Sequence, residues 1–186
     1  MNFLQYYNHP KNFRYKSFEF ALLEAKKRDL KIFVETGVAR GKQKFLFFSK
    51  INWKDGMSTL IFSDYVRHVN GSLTSCDIDK KNIENAKKFT KKNSSFIKFV
   101  IEDSLKFLSD FKSKIDFLYL DSVDGQFDWA SKHQLEEIKI AKNNLHEKSL
   151  VLLDDKGSKT NLSIDFMLSN NFKIINETDQ QVLLSY

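Results

Sequence analysis

Two sets of residues in this chain have types and spacing suited to chemistry. The first is Phe33-Val34-Glu35-Thr36-Gly37-Val38-Ala39-Arg40-Gly41, where a β-branched and aromatic run ends in an acid and gives way to small residues at alternating positions. Small residues let a backbone turn tightly and let a ligand approach closer than a Cβ permits, and the N–H groups of a following helix suit an anion. The turn is read as a nucleotide cradle. The second set is acidic: Glu35, Asp77, Asp103, Asp121 and the pair Asp154-Asp155 each follow an apolar run. One acid in a loop is a cap or a solubilising charge, whereas repetition after successive strands points to a single ligand-lined edge. Asp77 comes about thirty-five residues after the turn, against ~20 for the acid that binds ribose hydroxyls in dinucleotide folds. Asp121, Asp154 and Asp155, at the ends of two adjacent strands, form a compact hard-oxygen set suited to Mg²⁺ and open to Mn²⁺ or Ca²⁺. Such a cation lowers the pKa of a bound hydroxyl.

These residues need elements to position them. Lys31–Glu35, Ser72–Cys76, Phe96–Ile101, Ile115–Leu120 and Leu150–Leu153 read as buried strands, apolar without alternation. Helices are expected from Ser17 as N-cap, over Met57–Val69, over Lys80–Lys92 with Asp79 as N-cap, around Leu105 and Leu108, over Ala130–Leu145 and near Leu162–Leu168. Phe172–Ile175 and Val182–Leu184 are close enough to pair as a hairpin. The pattern predicts an α/β fold: a doubly wound, Rossmann-like, seven-stranded and mostly parallel sheet with an antiparallel C-terminal hairpin, whose ligands bind beyond the carboxyl ends of the strands. The basic and aromatic stretch 42–56, with Phe45, Phe47, Phe48 and Trp53, is read as an insertion beside the site, either a lid or ordinary packing.

The 186 residues suit a single domain, with 1–30 as an N-terminal arm and helix. That length leaves no separate substrate domain, so a homo-oligomer is expected to help wall the site. A net charge of +6 and a pI near 9.2 raise an anionic partner such as nucleic acid. Pairs such as Lys80-Lys81 and Lys87-Lys88 read as solvated helix faces in preference to a nucleic-acid contact. A single cysteine, Cys76, excludes an intramolecular disulfide, and the lack of a long apolar span points to a cytoplasmic protein without a membrane partner.

From Phe33 to Tyr186 the chain resembles the class I S-adenosylmethionine-dependent methyltransferases. Glu35-x-Gly37-x-Ala39-x-Gly41 looks like their first motif, with Ala39 at the usual middle glycine. The resemblance implies that this loop frames the cofactor, that Asp77 holds its ribose, that Ile78 lies against the adenine, and that Asp103 and Ser104 meet the adenine edge. The closing hairpin is also a mark of this family against NAD-binding sheets. Asp121 with Asp154-Asp155 is similar to the cation site of metal-dependent O-methyltransferases, and an Asp-Asp pair is closer to the sugar type than to the catechol type. Methylation of a hydroxylated small molecule, a sugar or a secondary metabolite, is the activity so implied, with S-adenosylmethionine and Mg²⁺ as cofactors.

There are departures from those patterns. The catechol type has a Lys base three residues after the first metal acid, where this chain has Asp124; the sugar type has an Asp two residues after it, where this chain has Val123. Asp121 and Asp124 are the catalytic candidates, with His133 as an alternative base. The Asn/Asp-Pro-Pro-aromatic tetrad of amino-group methylases is absent, since the segment reads Asp121-Ser122-Val123-Asp124 and the one proline is Pro10. A nucleic-acid methyltransferase and a non-catalytic cofactor-binding scaffold are the competing readings. Asp116 is expected at a turn or surface and Cys76 as a small buried group; Trp53 and Trp129 suit substrate stacking or core packing equally.

Overall fold

The computed structural model describes residues 1–45 and 48–186, and side chains outside 42–50. Five strands form the parallel part of the main sheet: β1 (Ile32–Thr36), β4 (Ser72–Asp77), β5 (Ile97–Ile101), β6 (Ile115–Leu120) and β7 (Leu145–Asp154). β8 (Lys173–Glu177) and β9 (Gln181–Ser185) close it, in the order β5-β4-β1-β6-β7-β9-β8. β9 lies between β7 and β8, antiparallel to both. The expected seven-stranded, mostly parallel sheet is the observed one.

Successive side chains on a strand face opposite sides, and here both sides are covered. Phe33, Phe117 and Tyr119 pack under α1 (Tyr15–Lys27) and α2 (Ser58–His68), against Phe18, Phe62 and Tyr65. The rings of Phe33 and Phe117, side by side on paired strands, stack with centroids 4.5 Å apart. Val34, Leu118, Leu120, Val151 and Leu153 face the other way, toward Leu108 of α4 (Ser104–Asp110), Ile138 of α5 (Ala130–Ala141) and Met167 of α6 (Asn161–Leu168). α3 (Lys80–Phe89) buries Ile83 and Ala86 against Val38. No helix among the described residues is long and apolar enough to cross a membrane.

The structure departs from expectation at several places, three of which bear on the site. α1 begins at Tyr15, so Ser17 lies inside it; its hydroxyl donates to the Arg14 carbonyl at 2.9 Å and to Gln181 Oε1. α5 stops at Ala141 because Leu145 pairs with Ile115 and already belongs to β7. The inserted stretch holds a two-stranded antiparallel ribbon, β2 (Lys42–Phe45) and β3 (Phe48–Ile51). Phe47 lies outside the described residues. Trp53 stacks on His9 at 4.7 Å and leans on Tyr6, which ties the segment after the ribbon to the N-terminal turn Asn2–Tyr7.

Candidate active site

The loop after β1 turns through Gly37 at φ +80, and a Cβ there would lie 2.1 Å from the Asp121 carbonyl oxygen. Gly41, at φ +69, would drive a Cβ into the Phe89 ring. Both glycines serve close packing of the chain on itself as much as ligand approach. The loop amides are also spoken for. Gly37 N–H donates to Cys76 O at 2.8 Å, Val38 N–H to Asp77 Oδ2 at 3.1 Å, Ala39 N–H to Thr59 Oγ1 at 2.8 Å and Arg40 N–H to Asp55 Oδ2 at 2.6 Å. The expected cradle of free N–H groups is therefore a braced turn, and the helix due after it starts only at Ser58.

Glu35 does not reach the cleft. It is fully buried beneath the loop, and the Ser58 and Ser75 hydroxyls donate to its two oxygens at 2.6 and 2.7 Å. Burial outweighs those hydrogen bonds and pushes its carboxyl up to about 7. Gly41 is also off the cleft wall, which begins at Gly37, Val38, Ala39 and Arg40.

A cleft of about 290 Å³ opens at the carboxyl ends of β1, β4, β5 and β6, and Asp77, Ile78, Asp103, Ser104, Asp121 and Asp124 all line it. Asp77 receives N–H groups of Val38 and Asp79, and Asp103 caps α4 by accepting those of Leu105 and Lys106. Ile78 is 72% exposed and Trp129 52%, apolar surface at the cleft wall that a planar ligand would cover. Phe127, stacked on Trp129, belongs to the same wall. His133 is there too, with Nε2 2.9 Å from Ser104 Oγ and 3.8 Å from buried Glu137. Cys76 is buried, its thiol donating to Glu102 O at 3.3 Å and pushed by burial up to about 12, the state of an inert thiol.

A second, larger cleft of about 720 Å³ adjoins the first and shares Arg40, Asp55, Asp79, Asn82, Asp121 and Asp124 with it. Its other walls are polar: Arg14, Asn52, Lys54, Lys81, Asn85, Asp154 and Asp155. His133 lines the first cleft and not the second. Asp124 lines both clefts, with Oδ1 held by Arg40 Nη2 at 2.9 Å.

Asp121, Asp154 and Asp155 converge, each offering an oxygen within 4.8 Å of the others. Two cations that the sequence reading overlooked meet them. Arg14 Nε and Nη2 grip the two oxygens of Asp154 at 2.7 and 2.8 Å, and Nη2 also reaches Asp155 at 2.8 Å. Lys159 Nζ donates to Asp121 at 2.7 Å and to Val123 O at 2.8 Å, and lies 3.3 Å from Asp155 Oδ2. Gln181 Nε2 adds a bond to Asp154 at 2.7 Å. Burial disfavours the Lys159 ammonium, but Asp121, Asp155 and Asp154 more than compensate and hold its pKa above the ordinary value. The residues present do not fit a divalent cation, because Arg14 and Lys159 already pair with five of the six carboxylate oxygens. Lys159, four residues after Asp155, left a faint local signal; Arg14, 140 residues from Asp154, left none.

A parallel sheet of this order, with its last strand inserted antiparallel and acids lining a cleft at the strand ends, defines the class I methyltransferase architecture. A methyltransferase-domain family matches residues 53–156, more than half of the chain, and the chain belongs to that family. The match takes in Asp77, Asp103, Asp121, Asp154 and Asp155. No curated protein matches it in sequence. Among solved structures, the SAH-bound methyltransferase PaMTH1 of Podospora anserina superposes with a TM-score of 0.67 at 12% identity, over 98% of this chain and 85% of its own. A putative rRNA methylase from Clostridium thermocellum gives 0.64 at 12%, over 94% and 97%. Precorrin-6y C5,15-methyltransferase from Geobacter metallireducens gives 0.63 at 10%, over 92% and 87%. These likenesses share the fold across acceptors of different kinds.

Proposed function

We propose that this methyltransferase transfers the methyl group to a hydroxyl of a small, polar acceptor, a sugar or a similar polyhydroxylated molecule. The observation that carries the reading is the junction of the two clefts, where Asp121 and Asp124 belong to both walls. S-adenosylmethionine, bound in the smaller cleft, supplies an electrophilic sulfonium methyl. Asp77 is assigned to its ribose, Ile78 to one face of its adenine, and Asp103 with Ser104 to the adenine edge. The loop Gly37–Arg40 walls the same cleft, with Glu35 bracing it from below through Ser58 and Ser75.

The larger cleft receives the acceptor. Among the described residues no aromatic side chain lines it, which favours a hydroxyl-rich molecule over a flat catechol. Arg14 uses four of its five N–H donors on Asp154, Asp155 and the Lys54 carbonyl, and the remaining one suits an acceptor oxygen. Among the described residues Asp124 Oδ2 accepts no hydrogen bond, and Asp124, held by Arg40 through Oδ1, is the group assigned to take the hydroxyl proton. Holding the acceptor oxygen and the methyl in line is the main contribution asked of the fold.

Calorimetric titration with S-adenosylhomocysteine, followed by a screen of sugars and sugar derivatives, tests the reading. Binding that Asp77→Ala weakens by about tenfold or more, and turnover that Asp124→Asn reduces through kcat with little change in cofactor affinity, are expected. A well-folded protein that binds no S-adenosylhomocysteine overturns it. The competing nucleic-acid reading rests on Arg40, Lys54 and Lys81, which line the larger cleft opposite six aspartates. Binding that weakens steeply and linearly in log salt would select that second reading.

A further inference from the structure

We infer that Arg14 and Lys159 stand permanently where a divalent cation would otherwise sit, so that the acidic cluster at the ends of β6 and β7 works without metal. Three observations support it. First, each of the six carboxylate oxygens already faces a donor. Asp154 Oδ1 meets Arg14 Nε and Gln181 Nε2, its Oδ2 meets Arg14 Nη2, and Asp155 Oδ1 meets Arg14 Nη2. Asp155 Oδ2 and Asp121 Oδ1 meet Lys159, and Asp121 Oδ2 lies 3.5 Å from the Tyr119 hydroxyl. Second, the cations offset two of the three negative charges, so an added Mg²⁺ would turn a nearly balanced cluster positive in a partly buried place.

Third, the cations are anchored in ways that resist displacement. The Lys159 side chain is 2% exposed, with Asp121 and Val123 O accepting its hydrogen bonds and Asp155 as a further ion-pair partner. Arg14 is forked on Asp154 and also donates through Nη1 to Lys54 O at 2.9 Å. A Cβ on Gly56 would come within 2.8 Å of Arg14 Cδ, so glycine at that position leaves the arginine its path. Arg14 lines the larger cleft, which puts a fixed positive charge on the wall where a metal-dependent enzyme would present its ion.

The inference concerns the site named above but its test does not need turnover. Mn²⁺ alone is titrated into the wild-type protein, the free ion being read by electron paramagnetic resonance. The expected result is no stoichiometric binding at millimolar Mn²⁺. Removing the cations should uncover the site: Lys159→Ala, and Arg14→Ala with Lys159→Ala, should bind Mn²⁺ at least tenfold more tightly than wild type, and Asp154→Asn in that background should abolish the gain. A wild-type protein that binds one Mn²⁺, with the binding lost in Asp154→Asn, overturns the inference even if the cation-free variants fail to fold. A protein that binds neither S-adenosylhomocysteine nor Mn²⁺ would sink the functional reading while leaving this one standing.

Discussion

The two halves of the site hold their carboxylates by different means. On the β4 and β5 side, Asp77 and Asp103 accept backbone N–H groups: Val38, from the loop after β1, and Asp79 for the first, Leu105 and Lys106 for the second. On the β6 and β7 side, Asp121, Asp154 and Asp155 are held by the side chains of Arg14 and Lys159. Amide dipoles fix a carboxylate in place without cancelling its charge, so Asp77 keeps lone pairs and negative charge for a hydroxyl-bearing ligand. Ion pairing consumes both. Between the halves, Glu35 is held by two hydroxyls and, among the described residues, meets neither an amide nor a cation. The difference separates a half built to receive donors from a half built as a closed electrostatic frame.

The largest effect should come from breaking the ion-paired half. Asp154 is fully buried, and removing Arg14 leaves its charge uncompensated, a loss of about 3–5 kcal/mol in typical buried pairs. Arg14→Ala is therefore expected to lower the urea midpoint severely. Adding Asp154→Asn should restore part of the loss, since the stranded charge goes with it. Additive losses in that double-mutant cycle would show that the pair is not coupled.

Glu35 gives a pH-dependent contrast of similar size. Its carboxyl rises from an ordinary 4.5 to about 7 in the folded protein, so between those values the native state binds more protons than the unfolded chain. Stability must then fall as pH rises through that window, by about 3 kcal/mol from this group. Glu35→Gln lacks the titration. The stability difference between variant and wild type, measured by denaturant unfolding at intervals from pH 4 to pH 8, should widen in the variant's favour toward high pH. A constant difference would mean that the hydroxyls and the start of α2 keep Glu35 ionised throughout.

Legibility in the sequence follows the same division. Asp79 as a helix cap, Ile115–Leu120 as a strand and the convergence of Asp121, Asp154 and Asp155 rest on local patterns, and the structure has each of them. What escaped were pairings between residues far apart in the chain, which carry no period and no motif. Arg14 sat in a segment read as an arm. Asp116, read as a turn residue, instead accepts the N–H groups of Lys31 and Ile32 at 2.7 and 2.8 Å and meets His146 at 2.9 Å, pinning the start of β1. The alternating glycines were visible, but that Gly37 packs on Asp121 and Gly41 on Phe89 depends on tertiary contacts.

The amide-held half makes a smaller, sharper prediction for ligand affinity. If Asp77 receives the ribose hydroxyls, Asp77→Ala should weaken S-adenosylhomocysteine by about 1.5–3 kcal/mol, the usual range for hydrogen bonds to a charged group, with less effect on stability than Arg14→Ala. Equal affinity in wild type and variant would remove the ribose from Asp77.

Asp103 separates holding from binding within a single residue. As the α4 N-cap it satisfies two amides, and Asp103→Ala should destabilise the protein by about 1 kcal/mol, the typical cost of losing such a cap. Asp103→Ser keeps a capping oxygen while discarding the charge, so its stability should stay within a few tenths of a kcal/mol of wild type. The affinities should part company with the stabilities. Where the carboxylate itself meets the cofactor, both substitutions weaken S-adenosylhomocysteine alike, although one of them leaves the helix capped. Where Asp103 serves only the helix, the serine variant binds as wild type does, and the amide-held half would then present one ligand-facing carboxylate, Asp77, instead of two.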